Sequence, residues 1–284
     1  MIITVTCNPA IDKTVYEDKT IFDVGGKGIN VSKVLHELST PSIATGFIGK
    51  DNKNVIIDDL NRLGIENHFI DVDGKVRTNT KYIENGNLKE FNEDGPYISK
   101  ENINEMYEYL SKFSNEIIVI SGSVPSSVDK NFYKELIIKL KQNNNFVILD
   151  TSKELLKNSL EAKPNIIKPN KDEICELLNI EYDLERIIEK CKDFNLDLIC
   201  VSLGSEGAVF IGEEVFKYDA LPIKCLSSVG AGDAMVAAIA YGKQNNMPLK
   251  SIAKLAMACS AASCLQEGTK PANYATIKVL FYSL

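Results

Sequence analysis

A short run of small residues leads directly into a carboxylate near the end of the chain. Gly230, Ala231 and Gly232 precede Asp233 at the start of a segment with helical character. Small residues at such a point let successive backbone N–H groups converge on a phosphate at a helix N-terminus. Asp233 would then either cap the helix or act as a general base on an acceptor hydroxyl beside a transferring phosphoryl group. This pattern taken alone leaves both helix capping and phosphoryl transfer open.

A second group of polar and small residues lies near the start of the chain. Asp12 follows a short apolar strand, and the run from Gly25 and Gly26 to Asn30 leads into a helix. Aspartate and asparagine hydrogen-bond sugar hydroxyls, and paired glycines let the backbone approach a ligand closely. The alternative is a simple turn before a helix. The glycines match neither the P-loop pattern nor the dinucleotide fingerprint, so neither of those sites is predicted.

The elements that must position these residues alternate along the chain. Short β-branched runs predict buried strands at 2–6, 43–48, 117–121, 146–150, 165–167 and 198–202. Helical spacing predicts helices at 31–38, 55–63, 103–113, 132–141, 173–178, 184–194, 231–244 and 249–265. This alternation indicates a mostly parallel sheet with helices on both faces. The polar stretch 69–92 instead predicts hairpins outside the main sheet, and no linker divides residues 1–284 into separate domains.

Composition excludes several classes of protein. The chain has 284 residues and a formal net charge of −7, which argues against a general nucleic-acid binder. The seven cysteines are odd in number and lack a C-x-x-C pair, so we expect free thiols in a reducing compartment. No basic leader precedes the first strand, and no apolar run reaches the roughly 20 residues that span a bilayer. We therefore expect a cytoplasmic protein with no membrane partner.

Eight short motifs occur in one order over nearly the whole chain. They are N-P-A-I-D at 8–12, G-G-K-G-I-N at 25–30, R-T-N at 77–79, S-G-S-V-P at 121–125, D-T-S at 150–152, K-P-N-K-D-E at 168–173, V-S-L-G-S-E-G at 201–207 and G-A-G-D at 230–233. This series resembles the ribokinase-like (PfkB) carbohydrate kinases, in the branch of 1-phosphofructokinase and tagatose-6-phosphate kinase.

The resemblance implies an α/β fold, a three-layer α/β/α sandwich with a mostly parallel central sheet and a small β lid over the sugar site. The lid would be formed by about 13–24 and 69–92 within a single kinase domain. The first of these segments is shorter than is usual in this branch. Relatives form homodimers through the lid, and the short segment argues against that assembly here, so both states stay open.

The resemblance also implies roles for individual residues. Asp233 resembles the catalytic base, and the anion hole would be formed by Gly230, Ala231 and Gly232. The positions that resemble contacts to the sugar and its existing phosphate are Asp12, Gly25, Gly26, Lys27, Asn30, Arg77 and Ser123. Those that resemble the ATP site are Lys168, Asn170, Ser202, Gly204, Gly207 and Gly232. Glu173 resembles the acid that organises Mg²⁺ through water.

Four of these residues have a plainer structural interpretation. Arg77 suits a phosphate because its planar fork binds two oxygens at once, but it could equally be an exposed surface arginine. Asn170 and Glu173 have the spacing of a helix capping box. Lys27 either faces the sugar phosphate or is a solvated lysine at a helix start.

The implied reaction is transfer of the γ-phosphate of ATP, with Mg²⁺, to a hydroxyl of a ketohexose phosphate. Fructose 1-phosphate is the first expected acceptor and tagatose 6-phosphate the second. The short lid raises a third alternative, an unphosphorylated sugar or nucleoside. A catalytically weak sensor of sugar phosphates or nucleotides is the alternative from another functional class, against which the retention of Asp233 and Glu173 argues.

Overall fold

The computed structural model describes residues 1–84 and 87–284. The strands are β1 (Ile2–Thr6), β2 (Ala10–Val15), β3 (Thr20–Gly25), β4 (Ser42–Asp51), β5 (Glu66–Lys75), β6 (Arg77–Glu84), β7 (Asn87–Asn92), β8 (Ile117–Ser121), β9 (Phe146–Asp150), β10 (Ile166–Ile167), β11 (Leu198–Ser202), β12 (Ala208–Ile211) and β13 (Val215–Tyr218). The helices are α1 (Lys27–Glu37), α2 (Lys53–Arg62), α3 (Lys100–Leu110), α4 (Phe132–Gln142), α5 (Lys153–Ser159), α6 (Lys171–Leu178), α7 (Leu184–Lys192), α8 (Ala231–Gln244), α9 (Leu249–Cys264) and α10 (Tyr274–Tyr282).

The described residues form one nine-stranded sheet in the order β13-β12-β11-β10-β9-β8-β1-β4-β5. The pairs from β11 to β5 are parallel, and only β11–β12 and β12–β13 are antiparallel. All five residues of β1 and of β8 are buried. Continuous β-branched runs of this kind are what a parallel strand covered on both faces requires.

Helices cover both faces of this sheet. Buried side chains of α3, α4, α5, α6 and α7 pack with those of the strands on one face. On the other face α1, α8, α9 and α10 enclose a second apolar cluster, in which α8 and α9 contribute mostly alanine and methionine. The resulting α/β/α layers hold the strands' carboxyl ends at one edge, where parallel sheets of this kind bind ligands.

A smaller four-stranded sheet in the order β3-β2-β6-β7 forms the lid. The predicted segment 13–24 contributes the β2–β3 hairpin to it. The prediction that all of 69–92 lies outside the main sheet was wrong in its first part, because β5 pairs in parallel with β4 at the edge of the main sheet. Its polar residues reflect an edge strand with alternating exposure. Residues 85–86 of the predicted lid lie outside the described residues.

Other predictions for the chain have mixed outcomes. All seven cysteines are free thiols, as the sequence predicts. Two helices, α5 and α10, and the β12–β13 hairpin were not predicted. In the part of the chain that is described, no helix combines the length and the apolar character needed to cross a membrane.

Candidate active site

A cavity of about 560 Å³ opens at the carboxyl ends of the parallel strands and under the lid. Residues after β1, β8, β9 and β10 form its floor, α1 and α8 begin at its edge, and lid strands lie across it. The residues predicted for the site that line it are Asp12, Gly26, Lys27, Asn30, Arg77, Ser123, Lys168, Asn170, Ser202, Gly230, Gly232 and Asp233. The fold thus gathers most of the predicted positions around one volume.

A second cavity of about 910 Å³ adjoins the first one. Asn170, Ser202 and Gly232 line both cavities, so the two volumes meet at the start of α8. The remaining predicted residues found here are Ala231, Gly204 and Gly207. Gly25 and Glu173 are not among the residues that line either cavity in the described chain.

The Asp233 carboxylate is buried where α8 begins. Gly230 is the N-cap with a φ of 82° and no side-chain capping bond, so helix capping does not explain Asp233. Asn30 Nδ2 instead donates a hydrogen bond of 2.7 Å to Asp233 Oδ2. Burial, followed by the nearby Asp150 carboxylate, raises the pKa of Asp233 to about 6, against the opposing influence of Lys27, Asn30 and Lys168. A carboxylate with this pKa can accept a proton near neutral pH.

The first turn of α8 has backbone N–H groups available for an anion. The first intrahelical bond runs from the Ala234 N–H to the Gly230 carbonyl at 2.9 Å, so the preceding N–H groups have no partner within the helix. The Ala231 N–H already contacts the Ser228 carbonyl at 3.3 Å, which leaves the N–H groups of Gly232 and Asp233. A Cβ atom on residue 232 would lie 3.1 Å from Lys168 Nζ, so glycine lets this lysine approach the helix start.

Asp150 pairs with two lysines beside the helix start. Lys27 Nζ lies 3.3 Å from both carboxylate oxygens of Asp150, and Lys168 Nζ lies 3.4 Å from Oδ1. Burial alone would raise the pKa of Asp150, but the two ammonium groups hold it below its usual value. Asp150 in turn raises the pKa of Lys27. Lys27 is therefore an ion-paired residue at the helix end of the cavity, which neither of its sequence-based interpretations anticipated.

The Asp12 carboxylate lies on the lid side of the cavity. Asn79 Nδ2 donates to Asp12 Oδ1 at 2.9 Å. Burial raises the pKa of Asp12, against the effects of Asn79, Lys81 and Arg77. Gly25 lies against the Asp12 side chain, since a Cβ atom on residue 25 would come within 2.4 Å of Asp12 Oδ2. Gly25 therefore makes room for the Asp12 carboxylate rather than contacting the cavity.

Arg77 is held in place by neutral backbone groups. Its Nε donates to the Asn8 carbonyl at 3.2 Å and its Nη1 to the Glu93 carbonyl at 3.3 Å. Two carbonyl contacts orient the guanidinium while leaving its charge without an ion-pair partner among the described residues. This arrangement excludes the interpretation of Arg77 as a free surface residue.

Five side chains that line the cavity each carry a buried polar atom with no hydrogen-bond partner in the described chain: Thr6 Oγ1, Asn8 Oδ1, Asn30 Oδ1, Asn79 Oδ1 and Ser121 Oγ. Buried polar groups are normally paired, and leaving them unpaired is unfavourable. The lining of this cavity is therefore rich in polar side chains, which suits a polar ligand. Sequence patterns gave no role to Lys81 and Glu90, which also line the cavity, or to Asp150, which pairs with two lysines of its lining.

The second cavity combines glycine turns with apolar helix side chains. Gly207 has a φ of 102°, and a Cβ atom there would lie 2.0 Å from the Tyr218 carbonyl oxygen, so only glycine is accommodated. Met235 and Met257 contribute apolar surface from α8 and α9. A cavity with apolar walls whose polar end reaches a helix N-terminus suits a nucleotide, whose base is flat and whose phosphates are anionic.

Asn170 and Glu173 form the capping box that their spacing predicts. Asn170 Oδ1 accepts from the Glu173 N–H at 2.8 Å, and Glu173 Oε2 accepts from the Asn170 N–H at 2.9 Å. No group of three or more potential metal ligands occurs among the residues described. Mg²⁺ commonly takes one or two protein carboxylates together with substrate phosphates and water, so the role of Glu173 in organising Mg²⁺ through water stays a prediction.

Solved structures with the same architecture define the class of fold. Phosphofructokinase-2 from Escherichia coli, in complex with substrates and products, superposes with a TM-score of 0.93 at 24% identity, covering 100% of this chain and 99% of that one. Ribokinase from Arabidopsis thaliana, complexed with ribose and ATP, superposes with a TM-score of 0.81 at 17% identity, covering 99% and 98%. The fold is ribokinase-like, which confirms the predicted fold class.

Sequence comparison identifies the family. Residues 1–275 match the model of the pfkB family of carbohydrate kinases. The 1-phosphofructokinase of Borreliella burgdorferi is 34% identical over 94% of this chain and 92% of its own length, and that of Bacillus subtilis is 33% identical over 94% and 93%. The chain belongs to the pfkB family of carbohydrate kinases and is a phosphotransferase that acts on a hydroxyl group. The resemblance found in the eight motifs is confirmed.

Proposed function

We propose that this enzyme transfers the γ-phosphate of ATP to a hydroxyl of a ketohexose phosphate, with fructose 1-phosphate as the first candidate acceptor. The observation that carries the proposal is the position of Asp233, buried at the meeting point of the two cavities and at the N-terminus of α8. The curated relatives named 1-phosphofructokinase support this acceptor.

In this mechanism Asp233 is the general base. An acceptor hydroxyl at the meeting point gives its proton to the Asp233 carboxylate as its oxygen bonds to the γ-phosphorus, and the bond from phosphorus to the departing ADP oxygen breaks. Asn30 holds the carboxylate in place through its side-chain amide and lines the cavity in which the sugar would lie. Asp12, Gly26 and Ser123 position the rest of the sugar in the first cavity.

The charges around Asp233 would stabilise the negative charge of the phosphoryl group during its transfer. Lys27 and Lys168 carry two positive charges against the single negative charge of Asp150 once Asp233 has taken the proton. This surplus, together with the N–H groups of Gly232 and Asp233, stabilises negative charge that develops on the phosphoryl oxygens. Mg²⁺ bound with the nucleotide, organised through water by Glu173, would neutralise further phosphate charge.

We assign the nucleotide to the second cavity and the acceptor's existing phosphate to the lid side of the first one. Gly204 and Gly207 would let the backbone approach the nucleotide, and Asn170 and Ser202 would contact its phosphates at the meeting point. Arg77 is oriented by carbonyl groups toward the first cavity and presents a permanently charged fork. Lys168 lines the first cavity, so its role is at the phosphoryl end of ATP.

The test is ATP turnover by the purified enzyme with Mg²⁺ and a panel of acceptors: fructose 1-phosphate, tagatose 6-phosphate, fructose 6-phosphate, and unphosphorylated sugars and nucleosides. A strong preference for fructose 1-phosphate supports the proposal. Preference for tagatose 6-phosphate or an unphosphorylated acceptor keeps the mechanism and replaces the substrate. If no acceptor in the panel is phosphorylated while fructose 1-phosphate still binds, the sensor interpretation replaces the kinase.

A homodimer formed through the lid is the assembly we propose. Phe22 and Phe91 are 61% and 62% exposed on the face of the lid opposite the cavity, and Tyr82 stacks edge-on against Phe91 there. Exposed aromatic side chains at both edges of one sheet face are typical of an association surface. Light scattering on the purified chain and on a Phe91→Glu variant tests the assembly. A dimer that the variant converts to a monomer supports it, whereas a monomeric wild type contradicts it.

A further inference from the structure

Strand β6 presents three polar side chains to the cavity at alternate positions. Arg77, Asn79 and Lys81 all line the cavity, and they face the same side because strand residues two apart share a face. Glu90, on the neighbouring strand β7, lies opposite Lys81 in the antiparallel register and lines the same cavity. The lid therefore brings two cations and one carboxylate to the cavity from adjacent strands.

The cations of the cavity fall into two groups with different partners. Lys27 and Lys168 are both tied to the buried Asp150 near Asp233. On the lid, Arg77 contacts backbone carbonyls and Lys81 contacts Glu90. Lys27 and Lys168 lie at the end of the cavity where phosphoryl transfer is proposed. A phosphate elsewhere on the acceptor would therefore be bound by the lid cations Arg77 and Lys81.

The pair between Lys81 and Glu90 is a weak one. Lys81 Nζ lies 3.4 Å from Glu90 Oε1, and the two side chains remain 28% and 42% exposed. Ion pairs in contact with water contribute little because solvent screens them and because both long side chains must be ordered. A dianionic phosphate offers Lys81 a stronger charge-assisted contact than one partly solvated carboxylate does. Exchange of Glu90 for a phosphate therefore costs little.

Arg77 and Lys81 are both close to the sugar-contacting side of the cavity. Each lowers the pKa of Asp12 through its charge, which places both cations within electrostatic reach of that carboxylate. A sugar that hydrogen-bonds Asp12 would carry its phosphate into the space between the two cations. An unphosphorylated sugar in the same position would leave the ion pair between Lys81 and Glu90 intact, and Lys81 would add nothing to the binding of that sugar.

We propose that Lys81 determines the preference of this site for a phosphorylated over an unphosphorylated sugar, with Glu90 as the counter-ion that Lys81 exchanges for the sugar phosphate. This inference rests on the proposed function and deepens it by naming the residue pair that selects the acceptor class. It also explains how the site can bind a sugar phosphate although the lid segment 13–24 is short. Lys13, in that segment, lies over the Phe22 ring, with 5.9 Å from its Nζ to the ring centroid, on the opposite face of the lid.

The experiment compares Lys81→Met and Glu90→Gln with a matched control, Lys89→Met. Lys89 is an exposed lysine next to Glu90 on β7 and is absent from the residues that line the cavity in the described chain. Lys89→Met therefore makes the same change in net charge on the other face of the lid. For each protein, kcat and KM are measured with fructose 1-phosphate, with fructose and with ATP, and fructose 1-phosphate binding is measured by calorimetry.

We expect Lys81→Met to raise KM and Kd for fructose 1-phosphate by about tenfold to a hundredfold, as for a lost hydrogen bond to a charged group. The KM for fructose and for ATP should stay within about twofold of the wild-type values, because neither ligand contacts Lys81. Glu90→Gln should lower the KM for fructose 1-phosphate several-fold, because the phosphate no longer competes with a carboxylate. Lys89→Met should leave all of these values unchanged.

Equal losses for fructose 1-phosphate and fructose in Lys81→Met would overturn the proposal, since they would indicate a general effect on lid packing. A comparable loss in Lys89→Met would also overturn it, because the effect would then be long-range electrostatics. The calorimetric arm separates this inference from the kinase assignment. If the enzyme turns over no acceptor but its binding of fructose 1-phosphate still depends on Lys81, the proposed function fails and the selectivity residue stands.

Discussion

Asn30 and Asp233 are 203 positions apart in the chain, yet Asn30 Nδ2 donates a hydrogen bond of 2.7 Å to Asp233 Oδ2. Asn30 lies in the first turns of α1 and Asp233 in the first turn of α8, so the contact joins two helix starts at the carboxyl edge of the sheet. The amide fixes one carboxylate oxygen and leaves the other free for a proton. This geometry gives Asp233 the orientation that a general base requires.

Asp233→Asn should lower kcat by about a hundredfold to ten-thousandfold, the usual contribution of a positioned general base. Asparagine retains the shape of the side chain and an acceptor for Asn30, so the nucleotide cavity stays intact. ATP affinity, measured by calorimetry, should change by less than about threefold. Equal losses of catalysis and ATP binding would contradict the assignment of Asp233 as base.

The acid side of the pH–rate profile should report Asp233. Its pKa is raised to about 6, chiefly by burial and then by Asp150, and the carboxylate must be ionised to accept a proton. The kcat/KM for the acceptor should therefore be constant at high pH and fall as pH decreases through about 6. The profile is measured with an acceptor concentration well below KM and with ionic strength held constant.

Asp150→Asn tests the cause of that raised pKa. It removes a negative charge that opposes ionisation of Asp233 and retains the two lysines that favour it. The midpoint of the acid limb should move to lower pH, whatever happens to the maximum rate. Tyr107→Phe serves as a control for a titratable residue outside the cavity, since it should not move the midpoint. An unchanged midpoint in Asp150→Asn would show that Asp150 does not act on the base.

Asp233 should also lower the stability of the folded protein at neutral pH. Its folded pKa of about 6 exceeds the ordinary value of 3.8, so the folded state holds the proton more tightly than the unfolded state does. The destabilisation is absent below about pH 4, grows as pH rises through 6, and reaches roughly 3 kcal/mol for a pKa difference of about 2. Asp233→Asn should therefore raise the melting temperature at pH 8 and have little effect at pH 4, as measured by calorimetric unfolding.

Sequence patterns were sufficient for the elements whose burial is uniform. The strands Ile2–Thr6, Ile117–Ser121 and Phe146–Asp150 have the predicted bounds because a strand buried on both faces is apolar throughout. Residues 69–75 of β5 were misassigned because an edge strand is half exposed, and its polar residues resemble those of a lid hairpin. Local pattern does not encode which sheet such a strand joins.

The sequence predicted which residues lie in the site better than it predicted which side chains contact one another there. Motifs at strand ends and helix starts identified Asp12, Asn30 and Asp233, because parallel strands bring their carboxyl ends together. The pairing of Lys27 with Asp150 joins residues 123 positions apart, and it arises only because α1 begins, and β9 ends, at the same edge of the sheet. Spacing along the chain carries no signal for it.

Gly25→Ala should weaken acceptor binding through Asp12. A Cβ atom at residue 25 would lie 2.4 Å from Asp12 Oδ2, so the carboxylate must move away from the position in which Asn79 holds it at 2.9 Å. We expect the KM for the sugar to rise by about tenfold and the KM for ATP to stay unchanged, as a displaced sugar contact implies. Because the effect acts through one side chain, the double variant Gly25→Ala/Asp12→Ala should bind the acceptor no more weakly than Asp12→Ala alone. Additive losses in this cycle would show that Gly25 acts on the β2–β3 backbone instead.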